Sequence, residues 1–472
     1  MTMHRSTQSD IDIDSFRSKV MGVQSRVPVL GGGYRNYINL DNAASTPTLK
    51  PVLATVNAFM EWYSSVHRGS GFKSRLSTKA YDDAREIVSN FVGANATEHS
   101  VIFGKNTTEA INKLSFRLNF GPRDIVLVSK QEHHSNDLPW RAHATVRHID
   151  LDDWGRIDID HLDALLDEFG DRVRLVAITA ASNVTGFIND VGEVARKAHR
   201  VGAQILVDCA QFAPHRPIEM GRLDDPEHLD YVAFSAHKLY APFGIGVLVS
   251  RKDTLENGEP EYRGGGTIKT VTLNEVNWAD GPDRDEAGSP NVVGAIALAA
   301  AIKELQHFGF QAIERHENQL MAYALSRLED VPGITIFGRP HAAQDRLGVI
   351  AFNMEGRHHS LIAAILSAEF GIGVRSGCFC AHPYVTHLLG FDEERTKQVS
   401  GRVSQGDFDE APGMIRVSFG AYNTLEEIDE LCHALSAIAA GNYVGQYTLN
   451  GSSGDFYSAS ELQSFEKYFS IS

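Results

Sequence analysis

From Tyr37 onward, short apolar runs alternate with longer stretches whose apolar positions recur at helical spacing. "VIFG" (101–104), "DIVLVS" (124–129), "VRLVAIT" (173–179), "AQILVD" (203–208), "YVAFS" (231–235) and "GIGVLVS" (244–250) are nearly continuous in Val, Ile, Leu and Ala. Such runs predict strands covered on both faces. Between most of them lie helical patterns such as "NDVGEVARKAHRVG" (189–202). This alternation predicts an α/β fold with a mainly parallel sheet and helices on both sides. "GAIALAAAIKELQHFG" (294–309) and "AIERHENQLMAYALSRLED" (312–330) predict two long helices. They lead into a smaller domain that contains "LGVIAFNM" (347–354) and "GMIRVSFG" (413–420).

At 472 residues the chain exceeds what one core comfortably holds, so more than one domain is expected. The division expected is an arm over 1–36 with one short helix, a large domain over 37–295, a small domain over 296–440 and a tail over 441–472. Within the small domain, "GFDEERTKQVSGRVSQGDFDEAPG" (390–413) is highly charged and poor in large apolar residues. It is expected to be a surface loop that could act as a lid. The tail is expected either to dock on a neighbouring subunit or to stay loose.

Composition is that of a globular protein, 43% hydrophobic and 22% charged, and a formal net charge of -16 argues against a nucleic-acid surface. No apolar run is long enough to span a membrane. The opening "MTMHRSTQSDIDIDSF" has no apolar signal-peptide core, and four scattered cysteines are not a disulfide framework. A cytoplasmic protein is expected.

Two positions carry candidate chemistry. Lys238, in "YVAFSAHKLYAPFGIG" (231–246), lies between two apolar strands. Burial there lowers an amine's pKa and makes it a nucleophile, suited to a Schiff base with an aldehyde cofactor. Thirty residues upstream, "ILVDCAQ" (205–211) ends a strand at Asp208. A strand-end carboxylate in an open α/β sheet points into the ligand crevice. It suits the pyridinium nitrogen of pyridoxal phosphate, although a helix cap is the other ordinary use of such an Asp.

"VDCAQ" and "FSAHKLYAPFGIG" together resemble the class V aminotransferase family, in particular its cysteine desulfurases and selenocysteine lyases. The resemblance extends over roughly 37–438. It implies fold type I of the pyridoxal-phosphate enzymes, with a mostly parallel seven-stranded sheet in the large domain and a smaller α+β domain. "INLDNAASTP" (38–47), with Asn42 and Ala43, is similar to the family motif that borders the substrate pocket, and "SSVHRGSGFKS" (64–74) implies that His67 lies near it. "FGKNTTEAIN" (103–112) resembles the phosphate cup. Asn106, Thr107 and Thr108 there open a helix whose N-terminus suits an anion, with Thr107 or Thr108 as candidate cap. The resemblance further implies His133 over the cofactor ring, Asn183 and Gln211 at its hydroxyl, and Ser235 and His237 at the phosphate. Thr267, in "RGGGTIKTV" (263–271), would reach the phosphate of a partner subunit, which implies a homodimer with shared sites. Arg416, in "GMIRVSFGAYNT" (413–424), would hold the substrate carboxylate, a role for which a planar fork of donors is suited.

"VRSGCFCAHPYV" (374–385) places Cys378 and Cys380 one residue apart, next to His382. A zinc site would need a fourth ligand that no second Cys/His cluster offers, so no metal is expected. A stable disulfide at this spacing is strained, a transient one is not excluded, and two inert core thiols are a further reading. "RSGCFC" resembles the desulfurase motif RTGHHC, which makes Cys380 the candidate nucleophile and Arg375 the motif arginine. Cys378 and Phe379 stand where that motif has two histidines, and GCFC is also similar to the molybdenum cofactor sulfurases. The resemblance implies a pyridoxal-phosphate enzyme that takes L-cysteine to L-alanine. A persulfide formed on Cys380 would pass to an acceptor protein or small thiol. Alternatives left open are a C–S or selenocysteine lyase and a sulfur donor to a molybdenum cofactor or natural-product pathway.

Overall fold

The computed structural model describes residues 13–256, 258–338, 345–458 and 465–471. Seven strands form one sheet: β1 His99–Gly104, β2 Ile125–Ser129, β3 Thr145–Ile149, β4 Val173–Thr179, β5 Gln204–Asp208, β6 Tyr231–Ser235 and β7 Gly246–Arg251. Their order is β1-β7-β6-β5-β4-β2-β3. β3, β2, β4, β5 and β6 run parallel, and β7 is antiparallel to both β6 and β1. β1 therefore points the same way as β6, and its carboxyl end lies on the same edge of the sheet.

All six predicted strands are present. The apolar runs are explained by two layers of packing: Ile125 and Leu127 of β2 enter one core, Val126 and Val128 the other. β3 was not predicted. It is an edge strand in which only Ile149 is buried, so "TVRHI" never forms an apolar run.

α1 (Thr107–Arg117) follows β1, and α2 (Val191–Arg200) precedes β5. The cap of α1 is Asn106, not the expected Thr107 or Thr108. Asn106 keeps an extended backbone, and its side chain accepts from Glu109 N at 2.9 Å. α3 (Val292–Phe308) and α4 (Phe310–Glu329) meet at Gly309, whose φ of 93° lets the chain turn by 76°. Among the described residues no single helix is long and apolar enough to cross a membrane.

Beyond α4, β8 (Ile334–Ile336), β9 (Val349–Met354), β10 (Arg375–Gly377) and β11 (Met414–Ser418) make an antiparallel sheet in the order β8-β9-β11-β10. Its apolar side packs on α4 and on the helix Leu425–Ala439. The early segment Ile38–Asn39 pairs with Ile372–Gly373 beside this second sheet, and a bridge from Asp41 to Ser418, the last residue of β11, ties the start of the large domain to it.

Two expectations change here. The charged segment 390–413 is not a bare loop: after α5 (His382–Leu388) it forms α6, Glu393–Ser404. Asp392 caps α6, Lys397 pairs with Glu393, and Arg402 pairs with Asp407 and Glu410. Charge pairing and capping substitute for the apolar stripe, since only Val399 of α6 is buried. The tail turns back on its own chain. Tyr447–Leu449 pairs with Phe456–Ser458, and Glu369 accepts from Val444 N, Gly445 N and the Tyr447 hydroxyl. Residues 1–12 of the arm and 459–464 of the tail lie outside the described residues.

Candidate active site

A cavity of about 290 Å³ opens at the carboxyl edge of the large sheet, against β10 and β11. Most of its wall follows from topology. The chain leaves β1 into Asn106–Thr108, β2 toward His133, β4 toward Asn183, β5 at Asp208 and Gln211, and β6 into Ser235, His237 and Lys238. All are loops at one edge of parallel strands, where α/β sheets place ligands. The second sheet closes the cavity with Arg375, Phe379, Cys380 and Arg416, and Ala43 and Ala44 complete it.

Lys238 is held down at about 8, chiefly by burial; the Asp208 charge pulls it back up and Arg416 pushes it further down. The free amine is therefore a minority form, roughly one-tenth, at pH 7 and becomes the main form above about pH 8. The Asp208 carboxyl is pushed up by burial, against the Ala210 N–H that donates to it at 2.8 Å and the charge of Lys238. His133 Nδ1 accepts from Ser135 N at 3.1 Å, which leaves its proton on Nε2. Burial, then the charge of Lys238, holds this imidazole at about 3, neutral under working conditions.

At the start of α1, Thr107 Oγ1 meets Ser235 Oγ at 2.6 Å and Thr108 Oγ1 meets Ser135 Oγ at 2.7 Å. These four hydroxyls gather at a helix N-terminus. A Cβ on Gly246 would come 2.3 Å from the backbone of Asn106, so glycine lets β7 pass directly beneath this turn. The donors and the close backbone approach fit a phosphate monoester, and the neighbouring lysine and acid fit the pyridine aldehyde attached to it.

Arg416 is buried. Its guanidinium donates to Asn183 O and to Asp41 Oδ1, both at 2.9 Å, and its Nε has no partner. β10 and β11 set Arg375 directly opposite Arg416, and Asp41 bridges them, its second oxygen 3.1 Å from Arg375. Asp41 was not singled out from the sequence. Its only signal was its place beside Asn42, and the bridge exists only once two sheets meet. Ser135 and Phe379 were missed as wall residues for the same reason.

Phe379 and Cys380 both have positive φ, 52° and 54°. Two successive non-glycine residues in this region cost of order 1–3 kcal/mol each. The loop is held by His134 N donating to Cys380 O at 2.7 Å, Asn183 Nδ2 to Phe379 O at 2.8 Å, and Ala381 N to Cys378 O at 2.8 Å. Cys380 is exposed, on the cavity wall that carries Lys238 and Arg416. Cys378 is turned away: it is buried, its thiol meets Pro412 O at 3.0 Å, and burial pushes it up to about 12. All four cysteines are free. The two histidines absent from positions 378 and 379 have neighbours of the same kind from elsewhere. His134 and His382 stack beside the loop, ring centroids 4.9 Å apart.

Three expected site residues stand apart. Asn42 is buried behind Ala43 and donates to Ser418 O at 3.0 Å. His67 is exposed outside the cavity, its ring edge-on to Tyr81. Thr267 bonds within its own turn, Oγ1 to Gly264 O at 2.7 Å, away from this chain's cavity.

A desolvated lysine and an acid at adjoining strand ends, on this topology, place the chain among the fold type I pyridoxal-phosphate enzymes. The family model Aminotransferase class-V matches residues 38–431. The chain belongs to that family. It is 38% identical over 409 residues to a cysteine desulfurase of Dickeya dadantii, covering 84% of this chain and 91% of the relative. The apo structure of a cysteine desulfurase from Thermococcus onnurineus NA1 is similar at TM-score 0.75 and 33% identity, with 86% of this chain and 95% of that one covered. The cysteine desulfurase CsdA of Escherichia coli, solved in an S-sulfonic acid form, matches at TM-score 0.75 and 30% identity over 92% of this chain and 99% of that one.

Proposed function

We propose that this chain is a cysteine desulfurase that converts L-cysteine to L-alanine and leaves the sulfur as a persulfide on Cys380. The observation that carries the reading is the presence of Cys380 on the same cavity wall as Lys238, Asp208 and Arg416. A lyase or aminotransferase has no need of a thiol there.

Pyridoxal phosphate, when bound, supplies the electron sink that makes the substrate Cα proton and Cβ–S bond labile. Thr107, Thr108, Ser235 and His237 would hold its phosphate, Lys238 its aldehyde carbon, Asp208 its ring nitrogen, and Asn183 with Gln211 its hydroxyl. Arg416 takes the substrate carboxylate through its free Nε and the donor it shares with Asp41. Lys238, with its midpoint brought down to about 8, accepts the Cα proton and returns one. His133, neutral and acceptor-bound at Nδ1, presents an N–H without adding charge. The Cys380 thiolate attacks the substrate sulfur. An S–S bond forms, the substrate Cβ–S bond breaks, and the electron pair left on carbon is protonated to give alanine. The persulfide then passes to an acceptor protein or small thiol.

The hairpin Ile268–Val271 with Val276–Trp278 supports a homodimer. It follows Thr267 and exposes Val271, Leu273 and Val276, which a second copy would cover. Four free cysteines and a working thiol suit the reducing cytoplasm.

The test is Cys380→Ala in the holoenzyme. It should keep the near-visible cofactor band, form no persulfide on the 378–380 peptide by mass spectrometry, and lose sulfide release from L-cysteine. Undiminished sulfide release would show that Cys380 is not the nucleophile.

A further inference from the structure

Asn183, Phe379 and Arg416 form a closed triangle beside the Cys380 thiol. Arg416 Nη1 donates to Asn183 O at 2.9 Å, and Asn183 Nδ2 donates to Phe379 O at 2.8 Å. The third side is the Phe379 ring, whose centroid lies 5.0 Å from Arg416 Cζ. At this distance a guanidinium cation is attracted by an aromatic face, most strongly where water is excluded. Arg416 is only 3% exposed. Burial works against its charge, and Asp41 works for it. The ring is a second counterweight, and it takes up none of the guanidinium's donors.

The edge of that guanidinium is already apportioned. Nη1 is taken by Asn183 O and Nη2 by Asp41, while Nε has no partner. Where the unpaired edge points depends on the tilt of the guanidinium plane. Two hydrogen bonds at the edge permit some tilt, and a ring against the face restrains it. Phe379 is itself held. It belongs to the apolar cluster that includes Val184, Tyr384 and Met414, and it also lines the cavity with Arg416. The positive φ values of Phe379 and Cys380 belong to one turn, which lays the ring by Arg416 and sets the thiol on the cavity wall. Position 379 is also one where the chain departs from the motif RTGHHC. An imidazole there would titrate and offer a carboxylate a donor of its own; a phenyl ring does neither and leaves the anion to Arg416.

We propose that Phe379 is a specificity-determining positioning residue: its ring holds the Arg416 fork in the orientation that receives the substrate α-carboxylate, from the same turn that presents Cys380. Phe379 acts through Arg416, so the inference rests on the carboxylate role given to that arginine above and not on Cys380 being the nucleophile.

The experiment follows the near-visible band of the holoenzyme during titration with L-alanine and with ethylamine, its analogue without the carboxylate. The ratio of the two dissociation constants reads the grip on the carboxylate with no turnover. Phe379→Leu should shrink that ratio about 5- to 30-fold, the range for a desolvated cation–π contact. Its ethylamine affinity should stay within about 2-fold of the parent, which also reports that the variant is folded and loaded. Phe379→Tyr keeps the aromatic face and should keep the ratio. In an Arg416→Gln background Phe379→Leu should change nothing further, because the ring then faces no cation. A change under about 2-fold in Phe379→Leu, an equal loss in Phe379→Tyr, or the same loss in the Arg416→Gln background would overturn the role of Phe379 and leave that of Arg416 standing. A parent with no preference for L-alanine over ethylamine would overturn the Arg416 assignment, and this one with it.

Discussion

Arg416→Lys tests the substrate end of the site with the charge conserved. The guanidinium holds Asn183 O and Asp41 with its two terminal nitrogens and leaves Nε unpartnered in a buried position. A lysine offers one ammonium with three donors and no fork, so it cannot keep both protein partners and also grip a carboxylate at two oxygens. Losing one charge-assisted bond is worth about 1.5–3 kcal/mol. At about 1.4 kcal/mol per decade, kcat/KM for L-cysteine should fall roughly 10- to 150-fold. The carboxylate does not change during the reaction, so ground state and transition state lose this contact equally. The loss should therefore appear in KM, with kcat nearly unchanged. The assay is initial-rate alanine formation against L-cysteine concentration, with the cofactor band confirming occupancy. Binding of cysteamine, which lacks the carboxylate, is the control: its dissociation constant, read as a shift of that band, should differ little between parent and variant. An unchanged KM for cysteine, or an equal weakening toward cysteamine, would refute the role given to Arg416.

Other outcomes follow from the same geometry. Lys238 is the free amine only above about pH 8, so cofactor uptake by cofactor-free enzyme, followed by absorbance, should rise through that pH. Asp208→Asn should move the midpoint lower, because the Asp208 charge raises the lysine; an upward shift would contradict the assignment. Because the unfolded lysine titrates near pH 10.4, the unfolded chain binds more protons between about pH 8 and 10.4, and this group's contribution to stability increases across that window. Gly246→Ala brings a methyl into the Asn106 backbone at 2.3 Å and should displace the start of α1. Spectrophotometric titration should then show weaker pyridoxal-phosphate binding, while L-cysteine KM in the saturated enzyme changes little.

Much of this protein is legible in one dimension. Strands buried on both faces must be apolar at nearly every position, so six of the seven large-sheet strands announce themselves, while β3, at the edge, does not. Lys238 stands out because an amine between two apolar strands has few ordinary uses, whereas Asp208 by itself reads equally well as a helix cap and gains meaning from its place thirty residues before the lysine. The charged segment 390–413 misleads because α6 is stabilised by a cap and ion pairs, which leave no apolar periodicity.

Residue order alone therefore determines the layered α/β sheet and the strand ends that carry the lysine, the acid and the helix N-terminus. These depend on local pattern and on the rule that parallel strands end on one edge. Tertiary structure decides the rest: the Asp41 bridge between Arg375 and Arg416, the turning of Cys380 into the cavity and Cys378 out of it, and the Phe379 ring against Arg416. Each joins residues separated in the chain, and the direction in which a side chain points there is set by how sheets and helices pack, which no local pattern encodes.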